Sequence, residues 1–237
     1  MTGNKDYEIE TDERKRENQR LFSSFFIPLV FVALIWLVKL FEFVTEINLT
    51  FLGVFPRTLK GFPGIFFSSL IHGDWDHLLS NTLPFLILGF LMLYSYPKVA
   101  IKAFIFIYLA SGFMVWLVGR EAYHIGASNL VYGFAFFLFF SGVFRKNMQS
   151  IAMSLLVVFM YGSIVWGVLP LRWEVSWEGH LMGGLAGAFI AYIYRTVDLP
   201  PPSDEEEDEE EEEPDFNDWM YTQDPDEWKY QYKPKDY

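Results

Sequence analysis

The sequence predicts an all-α membrane protein: a six-transmembrane-helix bundle with an interfacial segment after the first helix and a disordered acidic C-terminal tail. Three observations carry this. Of the 237 residues, 52% are apolar and 19% aromatic. The apolar residues come in blocks of about 20, the length a helix needs to cross a hydrocarbon layer of roughly 30 Å, rather than in the spaced stripes of a soluble helix. The acidity is segregated: the net charge is −12, but 17 acidic and 3 basic residues lie between Asp198 and Tyr237, leaving 15 basic and 13 acidic residues before them. There is no cysteine, which excludes disulfides, thiolate catalysis and cysteine-ligated metals.

Residues 1–21 carry charges of both signs and lack the basic start, apolar core and small-residue cleavage site of a signal peptide. They are expected to form a cytoplasmic segment ahead of a membrane domain spanning 22–195. Six apolar runs follow, at about 22–44, 75–95, 99–119, 126–144, 148–169 and 178–195. Lys39, Glu42 and Glu46 erode the end of the first, and Asp74 and Asp76 mark the start of the second. Between these two, residues 47–74 hold Phe51, Phe55, Pro56, Phe62, Pro63, Phe66 and Phe67. The stretch is too apolar for a solvated loop and too broken by proline for a long helix, so it is expected to lie in the membrane interface.

Arg14, Lys15, Arg16, Arg20, Lys98, Lys102, Arg145, Lys146 and Arg195 fall on one side of the bundle, against Arg57, Lys60, Arg120 and Arg172 on the other. The positive-inside rule then places both termini in the cytoplasm; the membrane is expected to be the plasma (inner) membrane. With that orientation the second, fourth and sixth spans begin at the non-cytoplasmic face. His77 and Asn81 occupy the first turns of the second span, Ser128 the start of the fourth and His180 the start of the sixth, all at one depth. His77 and Asn81 are four residues apart and share a helical face, as do Ser128 and Tyr132. Each has a plain structural reading: a serine bonding its own backbone, an asparagine joining two helices, a histidine in a packed polar contact. Convergence from three spans makes four independent structural roles a poorer account.

The chemistry narrows by exclusion. The four histidines (His72, His77, His124 and His180) form no HExxH pair, which disfavours a zinc protease, and no metal or other cofactor is expected. Acidic residues crowd at span ends rather than inside the bundle, which disfavours an aspartyl protease. Six spans without an evident inverted repeat disfavour a transporter. A serine nucleophile with a histidine base remains.

The stretch from His72 through His77 to Asn81 resembles the HxxxxHxxxN pattern of the second helix of rhomboid intramembrane serine proteases. Gly126-Ala127-Ser128-Asn129 resembles their GxSG motif, with Tyr132 four residues on, and the run from His180 through Gly183 to Gly187 resembles their HxxGxxxG motif. The three motifs occur in the family's order over about residues 22–195. The resemblance implies Ser128 as nucleophile, His180 as general base, and His77 and Asn81 as oxyanion donors beside the Ser128 amide, with Tyr132 packed on the base. It implies a transmembrane protein as substrate, cut near the non-cytoplasmic face. A scaffold of the same fold that binds membrane-protein clients without cleaving them is the alternative.

Gly183, Gly184 and Gly187 leave one face of the sixth span without side chains, which is expected to draw it against the fourth. The sequence departs from the family pattern at Asn129, where glycine is usual; a side chain there either crowds the oxyanion site or adds a donor. The first loop also lacks the family's frequent Trp-Arg pair, and Arg57 is the residue available to stand in.

After three prolines, Pro200 to Pro202, ten acidic residues run from Asp204 to Glu213. Their repulsion and low hydrophobicity predict disorder for the tail at 196–237. The plain reading of the interleaved aromatics beyond them is a solvated tail with no defined fold, and the alternative is a short docking segment for a basic cytoplasmic partner. The other partners expected are the lipid bilayer and the transmembrane substrate, and no nucleic acid.

Overall fold

The computed structural model describes residues 3–171 and 173–199. The expected disordered tail falls almost wholly on residues outside these, as does Arg172. Among the described residues the chain forms seven α-helices: α1 (Gly3–Thr45), α2 (Gly64–Phe67), α3 (Trp75–Ser95), α4 (Ala100–Val118), α5 (Ser128–Arg145), α6 (Met148–Tyr161) and α7 (Trp177–Ile193). Short 3-10 turns lie at Thr50–Leu52, Ser68–Leu70 and Gly162–Val168.

Among the described residues, five helical stretches are long and apolar enough to cross a membrane: Arg14–Thr45 of α1, then α3, α4, α5, and α6 continued by its 3-10 turn to Val168. The chain is a multi-pass membrane protein. The sixth expected span coincides with α7, whose 17 residues rise only about 26 Å, a turn or so short of the hydrocarbon thickness. Helix α1 runs across the boundary expected near residue 22. Its 43 residues extend about 65 Å, over twice what the hydrocarbon layer accommodates, so its charged N-terminal portion lies beyond that layer.

Local sequence explains the helix starts. Asp74 caps α3 by accepting from the His77 amide at 2.7 Å, Asn147 caps α6 through the Ser150 amide at 3.0 Å, and Ser176 caps α7 through the Gly179 amide at 3.3 Å. Helix α5 stops at Lys146, which takes up the left-handed conformation with φ 58°.

Helix α5 is the centre of the bundle, packed most extensively on α7 and also against α6, α3 and α4. Phe85 of α3, Ile107 of α4, and Leu130, Phe134, Phe137 and Leu138 of α5 fill the core. Small residues let the backbones close up. A Cβ on Gly183 would overlap the Asn129 carbonyl, one on Gly187 the Gly133 carbonyl, and one on Gly184 would press on the Phe136 ring. Helix α1 joins α3 through Pro28 seated on Gly89 and Trp36 Nε1 donating to Thr82 Oγ1 at 3.0 Å.

The segment between α1 and α3 is wound tightly on itself, with Gly61 against the Phe55 backbone and Gly64 against that of Gly53. It is fastened to the end of α4: the Arg57 amide donates to the Trp116 carbonyl at 2.9 Å, Arg57 Nη1 to the Gly119 carbonyl at 2.7 Å, and Trp116 Nε1 to the Thr58 carbonyl at 2.9 Å. A tryptophan and an arginine do meet in this region, but they come from α4 and the loop rather than from one dipeptide. Leu59, 91% exposed, and the half-exposed Phe51, Phe62 and Phe66 face outward, as suits a membrane-interface position.

Candidate active site

Residues 119–127 lead from α4 into α5 and hold Ser128 at the helix N-terminus. His124 pairs with Val54 in an isolated antiparallel bridge, the Gly126 amide donates to the Ser68 carbonyl at 2.9 Å, and the Ala127 amide donates to His72 Nε2 at 3.3 Å. Gly126 has φ +107°, and a Cβ there would stand 2.5 Å from Cε1 and Nε2 of His77. Only glycine serves at this point, for the conformation and for the close approach of the His77 ring. His77 is therefore set against the loop two residues before Ser128.

Ser128 is half-buried, and as the first residue of α5 its amide is one of the helix's orphan donors. Among the described residues that amide has no hydrogen-bond partner. It stands at the positive end of the helix dipole, a setting suited to a developing anion. Asn81 is buried and donates one hydrogen of Nδ2 to the His77 carbonyl at 3.0 Å, which leaves its second hydrogen available.

His180 is buried in the first turn of α7. Its ring stacks on that of Tyr132 with centroids 4.0 Å apart and planes within 7°. His180 Nδ1 lies 2.9 Å from the Gly167 carbonyl. A carbonyl only accepts, so the proton of the neutral ring sits on Nδ1 and Nε2 carries the free lone pair. Tyr132 is one turn along α5 from Ser128 on the same face, so the stack brings α7's histidine beside the turn that carries the serine. Among the described residues no hydrogen bond joins Ser128 Oγ to His180. Such contacts commonly tighten only around bound substrate.

Cavities open onto this site. One of about 490 Å³ is lined by Tyr132, Ile164, Trp166, Gly167, Leu169 and His180, among others. Another, of about 20 Å³, lies among Ser68, His124, Gly126, Ser128 and Ser176 and is large enough for one water.

Asn129 is buried with its side chain engaged elsewhere: Oδ1 accepts from Ser69 Oγ at 3.1 Å and Nδ2 donates to Ser111 Oγ at 2.7 Å. It ties α5 to the Ser68–Leu70 turn and to α4, and neither sequence-based alternative for it, crowding or donating, describes its contacts. Gly167, which orients His180, is not marked in the sequence. A Cβ there would overlap the Tyr132 hydroxyl, yet a single glycine in an apolar run gives no signal of that. His72 is buried, and burial, then the neighbouring His77, push it down to about 3. Burial also lowers His124. Both are neutral near pH 7, as their accepting roles require.

The family model for the Rhomboid domain matches residues 60–197. Uncharacterized proteins of Mycobacterium bovis and Mycobacterium tuberculosis are each 37% identical to the chain over 174 residues, 70% of this chain and 72% of theirs. An uncharacterized protein of Mycobacterium leprae is 33% identical over 174 residues, 70% of this chain and 69% of its own.

Proposed function

Since the chain belongs to the rhomboid family, we propose that it is an intramembrane serine endopeptidase with Ser128 as nucleophile and His180 as base. The observation that carries this reading is the orientation of His180: Tyr132 fixes the plane of the ring and the Gly167 carbonyl fixes its tautomer. Gly167 thus does for this histidine what a carboxylate does in a Ser-His-Asp triad.

Ser128 Oγ attacks a peptide carbonyl of a transmembrane substrate while Nε2 of His180 takes the hydroxyl proton. The oxyanion is received by the Ser128 amide, the free hydrogen of Asn81 Nδ2 and His77, in a site where little water competes; loss of one such donor costs on the order of 100-fold or more. The departing amine takes the proton from Nε2, and water then hydrolyses the acyl-serine with His180 again as base. Both termini lie in the cytoplasm and cleavage occurs near the opposite face of the plasma membrane. Substrate segments that unwind readily, with glycine, proline or β-branched residues, are preferred, because the backbone must enter extended.

A fluorophosphonate probe tests the assignment on the purified protein. Labelling of the wild type is expected to vanish in Ser128→Ala and His180→Ala with the bundle still folded. Labelling that survives Ser128→Ala would sink the nucleophile, and a folded, unlabelled wild type would favour a client-binding scaffold.

A further inference from the structure

Arg120 and Glu178 stand outside the groups given roles above, yet they lie on the two segments that carry Ser128 and His180. Arg120 follows the C-cap of α4. Glu178 is in the first turn of α7, two residues before His180, with its side chain 4% exposed. Arg120 Nε meets Glu178 Oε1 at 3.5 Å, and the Arg120 amide donates to the same oxygen at 3.4 Å. Arg120 Nη2 donates to the carbonyls of Trp173 and Val175 at 2.8 and 2.9 Å. One side chain thus ties the end of α4 to the whole approach to α7.

His124 makes a second fastening. Its Nε2 lies 3.1 Å from the Arg120 carbonyl, so Nε2 carries the proton, and Nδ1 accepts from the Ser176 hydroxyl at 2.7 Å. The Ser176 oxygen is left free to accept from the Gly179 amide, and the Ser176 carbonyl accepts from the His180 amide at 3.2 Å. What holds Ser176 therefore holds the turn that presents His180. The other end of the loop is gripped by Val54, Ser68 and His72, immediately before Ser128.

A buried carboxylate is costly unless paired, and a buried ion pair stabilises a fold little better than apolar residues of the same shape; its best-attested use is to specify one register. Glu178 at the start of α7 also complements that helix's dipole. We infer that Arg120 and Glu178, joined by His124 and Ser176, form a strap that sets the depth and angle of His180 against Ser128. They are positioning residues, and the inference rests on the dyad reading of the previous section.

The test uses the full chain in liposomes with a transmembrane substrate, comparing wild type, Glu178→Gln, Arg120→Lys and the double variant. Small misplacement of a reacting group costs up to about 100-fold. For each single variant kcat and the rate of fluorophosphonate inactivation are expected to fall together about tenfold or more, with KM and melting temperature little changed. The double variant is expected to be no slower than the slower single one, since both changes open the same strap. Arg120→Lys keeps the charge and gives up the fork, so it carries the test if Glu178→Gln fails to accumulate. Unchanged kcat in the folded variants, losses that only track the folded fraction, or additive losses would each overturn the strap while an active wild type left the dyad standing. A wild type that neither cleaves nor reacts with the probe would overturn both.

Discussion

Helices α5 and α6 follow one another along the chain and both are apolar, yet 72% of the most apolar stretch of α5 is buried and only 11% of that of α6 continued by its 3-10 turn. The order is the reverse of what a soluble protein would give, because α6 is the richer of the two in aliphatic residues. Lipid solvates leucine as well as a protein core does, so apolar surface alone gives a helix no reason to go inside. What α5 has is small and polar groups: Ser128, Asn129, Gly133, Ser141 and Gly142 admit close neighbours or bond them. Helix α6 offers Phe159, 89% exposed, and its aliphatic neighbours to the bilayer. The site is built at the mouth of the buried helix, where position is fixed from every side, while the exposed helix contributes the 3-10 turn that reaches over with Gly167.

Four perturbations sharpen this contrast. The largest effect is expected from Gly187→Ala, whose methyl would overlap the Gly133 carbonyl of α5. Separating the two backbones costs about 3 kcal/mol and abolishes turnover; melting and cleavage assays in detergent would check both, and a stable, active variant would refute close packing of α7 on α5. Next comes Phe137→Ala in the core of α5, set against Phe159→Ala on α6. The first leaves a void of roughly 100 Å³ worth about 2 kcal/mol at about 24 cal/mol per Å³, and the second changes stability by less than about 0.5 kcal/mol. Equal effects in denaturation would erase the distinction between the two helices.

Acid should loosen the grip on the loop entering α5. His72 and His124 stay neutral when folded, but each takes up a proton in the unfolded chain below about pH 6.5. Below that pH the unfolded state binds more protons, so stability is full above about 6.5 and declines as the pH falls toward 3, by about 1 to 2 kcal/mol at pH 5. A melting temperature that holds steady or rises from pH 7 to 5 would contradict this. The smallest effect is expected from Asn129→Gly, which restores the family's usual residue. It gives up two buried side-chain hydrogen bonds and about 1 to 2 kcal/mol, while kcat in the folded fraction is retained; a large change in kcat would put Asn129 back in the oxyanion site.

The membrane segments were legible because a bilayer demands apolar runs of one length, and five of the six runs recur as helices long enough to span it. The glycine spacing from His180 onward marked a face of α7 that meets α5. Other features were not legible, for physical reasons. Helix α6 gives way to a 3-10 turn after Tyr161, at Gly162-Ser163, within a run to Leu169 whose average hydropathy shows no change of pitch. The direction of the Asn129 side chain depends on Ser69 and Ser111, 60 and 18 residues away. The Arg120–Glu178 pair joins residues 58 apart, where no local periodicity reaches.

Ser128, fixed at the mouth of α5, is proposed to cleave a transmembrane helix with His180 as its base. The most direct measurement reconstitutes wild type and Ser128→Ala in liposomes with a glycine-containing transmembrane substrate and follows the product by mass. The wild type is expected to cut the substrate near its non-cytoplasmic end while the folded Ser128→Ala protein leaves it whole. Equal cleavage by both would contradict the account.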